Sequence, residues 1–367
     1  MAMAGPRTRK NPDRILLLGL LAASLVLASC GRRATAEAGN DSSAEPDKLL
    51  YERAMENIQD GKHEMGRLTL QTLMNTYPES EYLAKAKLAI ADSYYEEGAS
   101  GLLQSVAEYQ DFITFFPFLD EAAYAQMRVG MAHYRRMEKP DRDRTEAMAA
   151  EIAFQLLLQK YPEGPLAAEG QQRLREVQEV LAEGDFRIAS FYYLRRADRA
   201  AEARLQRLVR RYPLYSQADR AHWMLATLYE RHEEPEVATQ HYARMVKDYP
   251  LSPLAETAKA KLEKFGVSAP QPDSDALARM QQEAQVPRRR PGFLGRSLGM
   301  LKSGPDVSMA ARAGTPTMTP ADDQSQDALV PGLPARAGGA SGLPAGTGAG
   351  TDVSVETVTP GQRLPAP

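Results

Sequence analysis

Apolar residues between positions 47 and 264 recur at intervals of three and four, which is the spacing of one face of an α-helix. One such segment carries Leu68, Leu70, Leu73 and Met74, and a later one carries Ala149, Ile152, Leu156 and Leu157. The alternation of apolar and polar residues that is typical of a strand is nearly absent. The pattern therefore predicts an all-α domain over residues 47–264.

An aromatic residue followed by proline closes helical segments of this domain at regular intervals. The five copies are Tyr77-Pro78, Phe116-Pro117, Tyr161-Pro162, Tyr212-Pro213 and Tyr249-Pro250. Proline cannot continue a helix and biases the preceding residue away from the helical conformation, so each copy predicts a helix end. The copies lie 39, 45, 51 and 37 residues apart, a little more than the roughly 34 residues of a tetratricopeptide unit. The spacing predicts an α-solenoid of about five tetratricopeptide-like helix pairs, with insertions.

Small residues recur in the helices that follow several of these prolines. Ala86 and Ala89 precede a pair of tyrosines, and Gly130 occupies a similar position one repeat later. Small side chains let two helices of a pair approach closely, while large rings fill the gap to the next pair. Stacked pairs of this kind curve and present an extended groove, which is a binding surface rather than a catalytic pocket.

The N-terminal residues have the three parts of an export signal. Four basic side chains precede an uncharged stretch from Ile15 to Ala28, which is 14 residues long. A membrane-spanning signal anchor would need roughly 20 residues, so cleavage is favoured. The tetrad Leu27-Ala28-Ser29-Cys30 resembles the lipobox of bacterial lipoproteins, in which the cysteine becomes the acylated first residue. Residues 1–29 are thus predicted to be a signal peptide and Cys30, the single cysteine, the lipidation site.

The predicted lipid determines the expected location of the protein. Several acyl chains on one residue hold a protein on a membrane almost indefinitely. In the lipoproteins that this signal resembles, aspartate after the cysteine favours the inner membrane, whereas this chain has Gly31. We expect the periplasmic face of the outer membrane, with residues 30–46 as a flexible tether. Residues 265–367 are rich in Pro, Gly and Ala, and this composition predicts a disordered tail because too few apolar residues are present to offset the entropy of ordering.

Catalytic chemistry has little support in the sequence. The five histidines lack the spacing and carboxylate partner of a metal-binding helix, and the predicted lipid consumes the only thiol. The formal net charge of −3 argues against a dedicated nucleic-acid binder. We therefore predict no catalytic residue, no metal, no cofactor beyond the covalent lipid at Cys30, and no enzyme activity.

Two groups of residues are candidates for protein binding. Arg204, Arg207 and Arg211 fall on one helical face, and arginine is suited to paired hydrogen bonds with carboxylates at interfaces; a solvated outer face is the alternative. The second group is aromatic and is expected to contribute mostly to the core, with a minority lining a groove for an extended peptide. Its members are Tyr94, Tyr95, Tyr109, Phe112 and Phe115.

The lipobox, the five helix pairs and the region between residues 141 and 213 together resemble the BamD family, the lipoproteins of the outer-membrane β-barrel assembly machine. The most specific matches are Asp141-Arg142-Asp143, Leu174-Arg175-Glu176-Val177 and Leu194-Arg195-Arg196. The resemblance extends from the signal to about residue 264. It implies a scaffold that binds the POTRA region of the barrel-forming subunit, accessory lipoproteins and unfolded outer-membrane proteins. It also implies that Arg204, Arg207 and Arg211 contact the barrel subunit, while the aromatic groove receives the substrate.

Two other interpretations remain open from the residues. A tetratricopeptide lipoprotein adaptor of another envelope system, such as cell division or cell-wall coordination, would share the Tyr-Pro repeat. Such proteins usually begin with a coiled coil and lack a lipobox, whereas here the first repeat starts at about Asp47. An enzyme on a repeat stalk would need a catalytic domain, and only the low-complexity tail is unassigned.

Overall fold

The computed structural model describes residues 45–285 and 304–318, and all regular structure within them is helical. The twelve α-helices of these residues are α1 (Pro46–Gln59), α2 (His63–Thr76), α3 (Leu83–Glu96), α4 (Leu102–Phe115), α5 (Glu121–Arg136), α6 (Thr145–Lys160), α7 (Ala167–Leu194), α8 (Asp198–Arg211), α9 (Ala218–Arg231), α10 (Pro235–Asp248), α11 (Ala255–Lys264) and α12 (Ser274–Gln285). A short 3-10 turn at Gly98–Ser100 precedes α4. The predicted all-α class is confirmed. The predicted signal peptide and Cys30 lie outside the described residues.

The helices form two compact units, one ending at Glu97 and one beginning at Gly98. In the first unit, α1 packs on α2 and α2 on α3, around Leu70 and Leu73. In the second unit each helix from α4 to α10 packs on the next, and α12 packs on α10. This consecutive packing of neighbours confirms the predicted tetratricopeptide-like α-solenoid class.

The aromatic-proline pairs end helices as predicted. Tyr77 follows the last residue of α2, and its N–H donates to the Leu73 carbonyl over 2.8 Å, which closes the final turn. Its own carbonyl accepts from the Ser80 N–H over 3.1 Å, which starts the turn into the next helix. The same two bonds join Phe116 with Phe112 and Leu119, Tyr161 with Leu157 and Gly164, Tyr212 with Leu208 and Tyr215, and Tyr249 with Met245 and Ser252. The five copies are therefore one recurring backbone turn.

Close helix approach depends on individual small residues. A Cβ atom added to Gly130 on α5 would lie 2.5 Å from the Phe154 ring on α6, far inside van der Waals contact. Gly66 on α2 is equally crowded, with Ile58 of α1 at 2.4 Å from such an atom. Both glycines thus occupy the close-packing positions that the repeat requires.

The longest spacing between aromatic-proline pairs is explained by one long helix rather than by a loop. Helix α7 has 28 residues, whereas the corresponding helix of the following repeat, α9, has 14. The buried face of α7 is unusually polar and includes Arg175, Glu176, Gln178, Glu179 and Asp185. Since buried charges need partners, this helix determines much of the ionic structure around it.

The structure differs from the predicted tail at two places. Helix α12 begins where the Asp273 carboxylate accepts from the Ala276 N–H over 2.9 Å, and residues 304–318 lie against the repeat domain. Residues 304–318 bury few apolar side chains, and hydrogen bonds to their main chain hold them instead. Amino-acid composition does not reveal such hydrogen bonds. Residues 265–273 lead into α12 without regular structure, and residues 286–303 and 319–367 lie outside the described part. None of the helices in the described residues is long and apolar enough to span a membrane.

Candidate partner-binding surfaces

The predicted arginine face on α8 points toward α6 and α7. The Arg211 guanidinium lies 2.8 Å from the Glu151 carboxylate, and that of Arg207 lies 3.6 Å from Asp185. Arg204 lies over the Tyr192 ring at 5.6 Å from its centroid. Two of the three arginines therefore form ion pairs within the fold.

These ion pairs belong to a buried charged cluster. Glu151 is 1% exposed, and it accepts hydrogen bonds from Arg211 (2.8 Å) and Gln178 (3.2 Å). Asp185 also pairs with Arg144 over 2.7 Å. Burial raises the pKa of Glu151, and the Arg211 charge opposes that shift. Removing Arg211 would leave the Glu151 charge buried without its ion-pair partner, whereas Asp185 would keep Arg144 if Arg207 were removed. Arg211 thus links α8 to α6, and Arg207 links α8 to α7.

An apolar surface that the sequence did not single out lies at the end of α7. Ile188 is exposed, and Phe191 and Leu194 are 53% and 80% exposed. The Arg195 guanidinium lies 4.9 Å from the Phe191 ring centroid. We call Ile188, Phe191, Leu194, Arg195 and Arg204 the α7–α8 corner. Contiguous exposed apolar side chains mark protein-interaction sites, and arginine is enriched among the residues that dominate binding energy. The sequence signal was an apolar residue every third position up to the helix end.

The predicted aromatic groove is not formed by most of its predicted members. Tyr109 and Phe112 on α4 are completely buried, and Tyr95 on α3 is nearly so. Tyr109 packs edge to face on Tyr124 of α5 at 6.5 Å. The assignment to a substrate groove is thus wrong for these three residues, because the helical spacing that aligned them directs them into the core.

The two remaining aromatic residues are accessible. Tyr94, in the first unit, is partly buried and carries the Arg67 guanidinium 4.0 Å from its ring centroid. Phe115, in the second unit, is exposed at the end of α4. A substrate role for Tyr94 and Phe115 stays a prediction.

A groove does exist in the second unit, between α4, α5 and α6. Its volume is about 360 Å³, and its apolar floor includes the exposed residues Ile152 and Leu156. Its other lining residues are Gln110, Ile113, Thr114, Gln126, Val129, His133, Ala149 and Ala153. An apolar floor with amide and hydroxyl groups beside it suits an extended polypeptide with apolar side chains.

Helix α6 explains why the sequence pattern misplaced this groove. The pattern assigned Ile152, Leu156 and Leu157 to the packing face. Leu157 is buried as predicted, together with Phe154, whereas Ile152 and Leu156 are exposed. A helix that is apolar on more than one side has a second surface to cover. The apolar residues on more than one side of α6 were the sequence signal for this groove. Among the residues that the structure describes, no group of three or more His, Cys, Asp and Glu side chains could hold a metal ion.

The fold, the corner and the groove together define a helical-repeat binding protein. The family model described as outer membrane lipoprotein, YfiO, matches residues 43–243, and the chain belongs to this family. The BamD-like resemblance is thereby confirmed.

Curated relatives carry the name outer membrane protein assembly factor BamD. The Vibrio cholerae serotype O1 protein is 29% identical over 178 residues, which cover 46% of this chain and 73% of the relative. The Xylella fastidiosa strain 9a5c protein is 24% identical, with coverages of 54% and 70%. The Neisseria gonorrhoeae protein is 21% identical, with coverages of 63% and 90%.

Proposed function

We propose that this protein is a lipid-anchored scaffold of the outer-membrane β-barrel assembly machinery. The observation that carries the proposal is the family match over residues 43–243, which includes both the α7–α8 corner and the groove between α4 and α6. Similar proteins are named outer membrane protein assembly factors. In this role the protein binds a POTRA-bearing barrel subunit, accessory lipoproteins and unfolded outer-membrane proteins, and performs no bond chemistry.

The α7–α8 corner is the proposed site for the barrel subunit. It offers apolar contact area through Phe191 and Leu194 and a guanidinium in Arg204 that can face a partner carboxylate. Large side chains of this kind supply most of the binding energy at protein interfaces. The corner replaces the wider arginine face, because Arg207 and Arg211 already have carboxylate partners within the fold.

The groove between α4 and α6 is the proposed site for unfolded substrate. Ile152 and Leu156 provide an apolar floor for alternate side chains of an extended strand. A scaffold that binds substrate at one surface and the barrel subunit at another raises the effective concentration of each for the other. No step of this mechanism requires a cofactor.

The corner is tested by affinity purification from solubilised outer membranes. Phe191→Ser with Leu194→Glu, both at exposed positions, should reduce recovery of the POTRA-bearing subunit at least tenfold, because a hot-spot loss of about 2 kcal/mol exceeds a tenfold change. Leu251→Glu, also at an exposed apolar position, is the matched control and should leave recovery unchanged. Equal recovery with both variants, or recovery of cell-division or cell-wall proteins instead, would contradict the proposal.

The groove and the anchor have separate tests. A photo-crosslinking residue at Leu156 should capture unfolded outer-membrane proteins, whereas one at the exposed Leu103 of α4 should not. Equal capture at both positions would contradict substrate binding in the groove.

For the anchor, the Cys30→Ser variant should accumulate as an uncleaved precursor. Labelled palmitate in that variant would refute lipidation at Cys30.

A further inference from the structure

Residues 304–318 lie against the second unit and are held there through their main chain. Arg175 of α7 donates to three carbonyl oxygens of the segment, those of Ala311 (3.1 Å), Arg312 (3.2 Å) and Gly314 (2.8 Å). One guanidinium therefore binds three peptide groups of a bent stretch of chain.

Three further side chains continue this main-chain recognition. Gln178 forms a reciprocal pair with Thr317, donating to its carbonyl over 2.7 Å and accepting from its N–H over 3.2 Å. Gln155 donates to the same carbonyl over 3.2 Å. Glu283 of α12 accepts from the N–H groups of Arg312 and Ala313. We call Gln155, Arg175, Gln178 and Glu283 the main-chain site.

The environment of Arg175 shows that the main-chain site is suited to carbonyl groups. Arg175 is only 8% exposed. Its fourth hydrogen bond goes to the Gln172 side-chain oxygen over 2.8 Å. All four of these acceptors are neutral carbonyl oxygens. A buried guanidinium needs acceptors, so without the segment three of these bonds would have to be replaced.

The shape of the main-chain site selects small residues and proline. Ala310 and Pro316 of the segment are buried. Gly314 has φ +94°, and an added Cβ would lie 3.0 Å from Arg279 and 3.1 Å from Leu214. Large side chains are excluded at these positions, so selectivity comes from the backbone path rather than from side-chain pockets.

We propose that the main-chain site is a peptide-binding site and that residues 304–318 are its tethered ligand. A partner segment that follows the same backbone path, with small residues around a proline, displaces them. A ligand on the same chain acts at an effective concentration on the order of millimolar. The tethered segment therefore keeps weak peptides out, while a partner that adds contacts elsewhere on the repeat domain gains access. This inference is independent of the proposed function.

The experiment compares full-length variants by hydrogen exchange and peptide binding. In the unmodified protein the amides of Arg312, Ala313 and Thr317 should be protected. Gly314→Val or, separately, Ala310→Asp should release the segment and remove that protection. Thr315→Ala, at an exposed position, is the matched control and should keep it.

The released variants then test the site itself with a fluorescent synthetic peptide of residues 304–318. They should bind it at least tenfold more tightly than the unmodified protein or Thr315→Ala does. Adding Gln178→Leu to Gly314→Val should abolish most of that gain, with helical circular dichroism unchanged. Any of four results would overturn the proposal. Two concern hydrogen exchange: the segment amides are unprotected in the unmodified protein, or they stay protected in both release variants. Two concern the peptide: the release variants do not bind it, or Gln178→Leu does not weaken its binding.

Discussion

Two groups of helix contacts in the second unit, which we call the charged seam and the aromatic seam, hold neighbouring helices together by different interactions. The charged seam joins α6, α7 and α8 through buried carboxylates and arginines, as in the Glu151–Arg211 pair at 2.8 Å. The aromatic seam joins α9 and α10 through rings. Trp223 and Tyr242 meet edge to face at 5.3 Å, and Tyr229 stacks on His241 at 5.6 Å.

The comparison teaches that the repeat geometry does not depend on one kind of core. Both seams follow the same aromatic-proline turn, at Tyr161 and Tyr212 on one side and at Tyr249 on the other. Their responses to mutation should differ, however. When either member of a buried ion pair is removed, the other charge remains buried without a partner. Truncating an aromatic side chain instead costs the transfer energy of the deleted atoms and of the cavity that they leave, and deleting only a hydroxyl leaves the ring contacts in place.

Breaking the charged seam should have the largest effect. Arg211→Ala leaves the Glu151 carboxylate buried without its closest cation, and loss of one member of a buried pair costs about 3–5 kcal/mol. Urea denaturation followed by circular dichroism measures the free energy of unfolding. The exposed neighbour Arg210→Ala is the control and should change it by less than about 0.5 kcal/mol.

A double variant sharpens this prediction. Glu151→Leu with Arg211→Met replaces the pair by apolar groups and should recover most of the lost stability, since such replacements are often neutral or stabilising. If Arg211→Ala lowered the free energy of unfolding as little as Arg210→Ala does, the charged seam would not depend on the Glu151–Arg211 pair.

Acidification should weaken the aromatic seam. The Nδ1 atoms of His222 and His241 lie 3.1 Å apart. Burial lowers the pKa of His222 to about 3, with His241 and Arg244 adding to the effect, and burial with Arg244 lowers that of His241 to about 4. An unfolded histidine titrates near 6.5, so between pH 6.5 and 4 the unfolded chain binds more protons. Stability must fall as the pH falls through this window, by about 2 kcal/mol per histidine at pH 5.

The test compares the free energy of unfolding at pH 7 and pH 5. His222→Asn with His241→Asn should lose less stability between these pH values than the unmodified protein does. His63→Asn, in the first unit, is the control and should retain the full loss. An identical pH dependence in all three proteins would show that the histidine pair does not titrate on unfolding.

Removing one polar group from the aromatic seam should have the smallest effect. Tyr242 is fully buried, and its hydroxyl donates to Glu230 over 2.7 Å. Tyr242→Phe keeps the ring contacts and leaves Glu230 paired with Lys261 at 2.8 Å, so we expect a loss of about 1 kcal/mol. Chemical denaturation is the measurement. A loss equal to that of Arg211→Ala would remove the distinction between the seams.

Local signals in the chain were sufficient for the class of fold. The aromatic-proline pairs predicted five helix ends correctly because proline acts on its immediate neighbours. Gly130 was placed correctly because helix approach depends on side-chain size. The sites were harder to predict: Tyr109 and Phe115 lie on the same helix, yet one is buried and the other exposed.

The sequence by itself determined the helical repeat and its turns, because these follow from local conformation and periodicity. Its family was indicated by the resemblance of the lipobox and of the motifs between residues 141 and 213. Only the tertiary structure decided that Arg207 and Arg211 pair inward, that Leu194 faces outward, and that residues 304–318 return to Arg175. The physical reason is the separation along the chain between the residues that interact. Helix ends depend on neighbours in the chain, whereas the pairing of a charge or a peptide group depends on partners that only folding brings together.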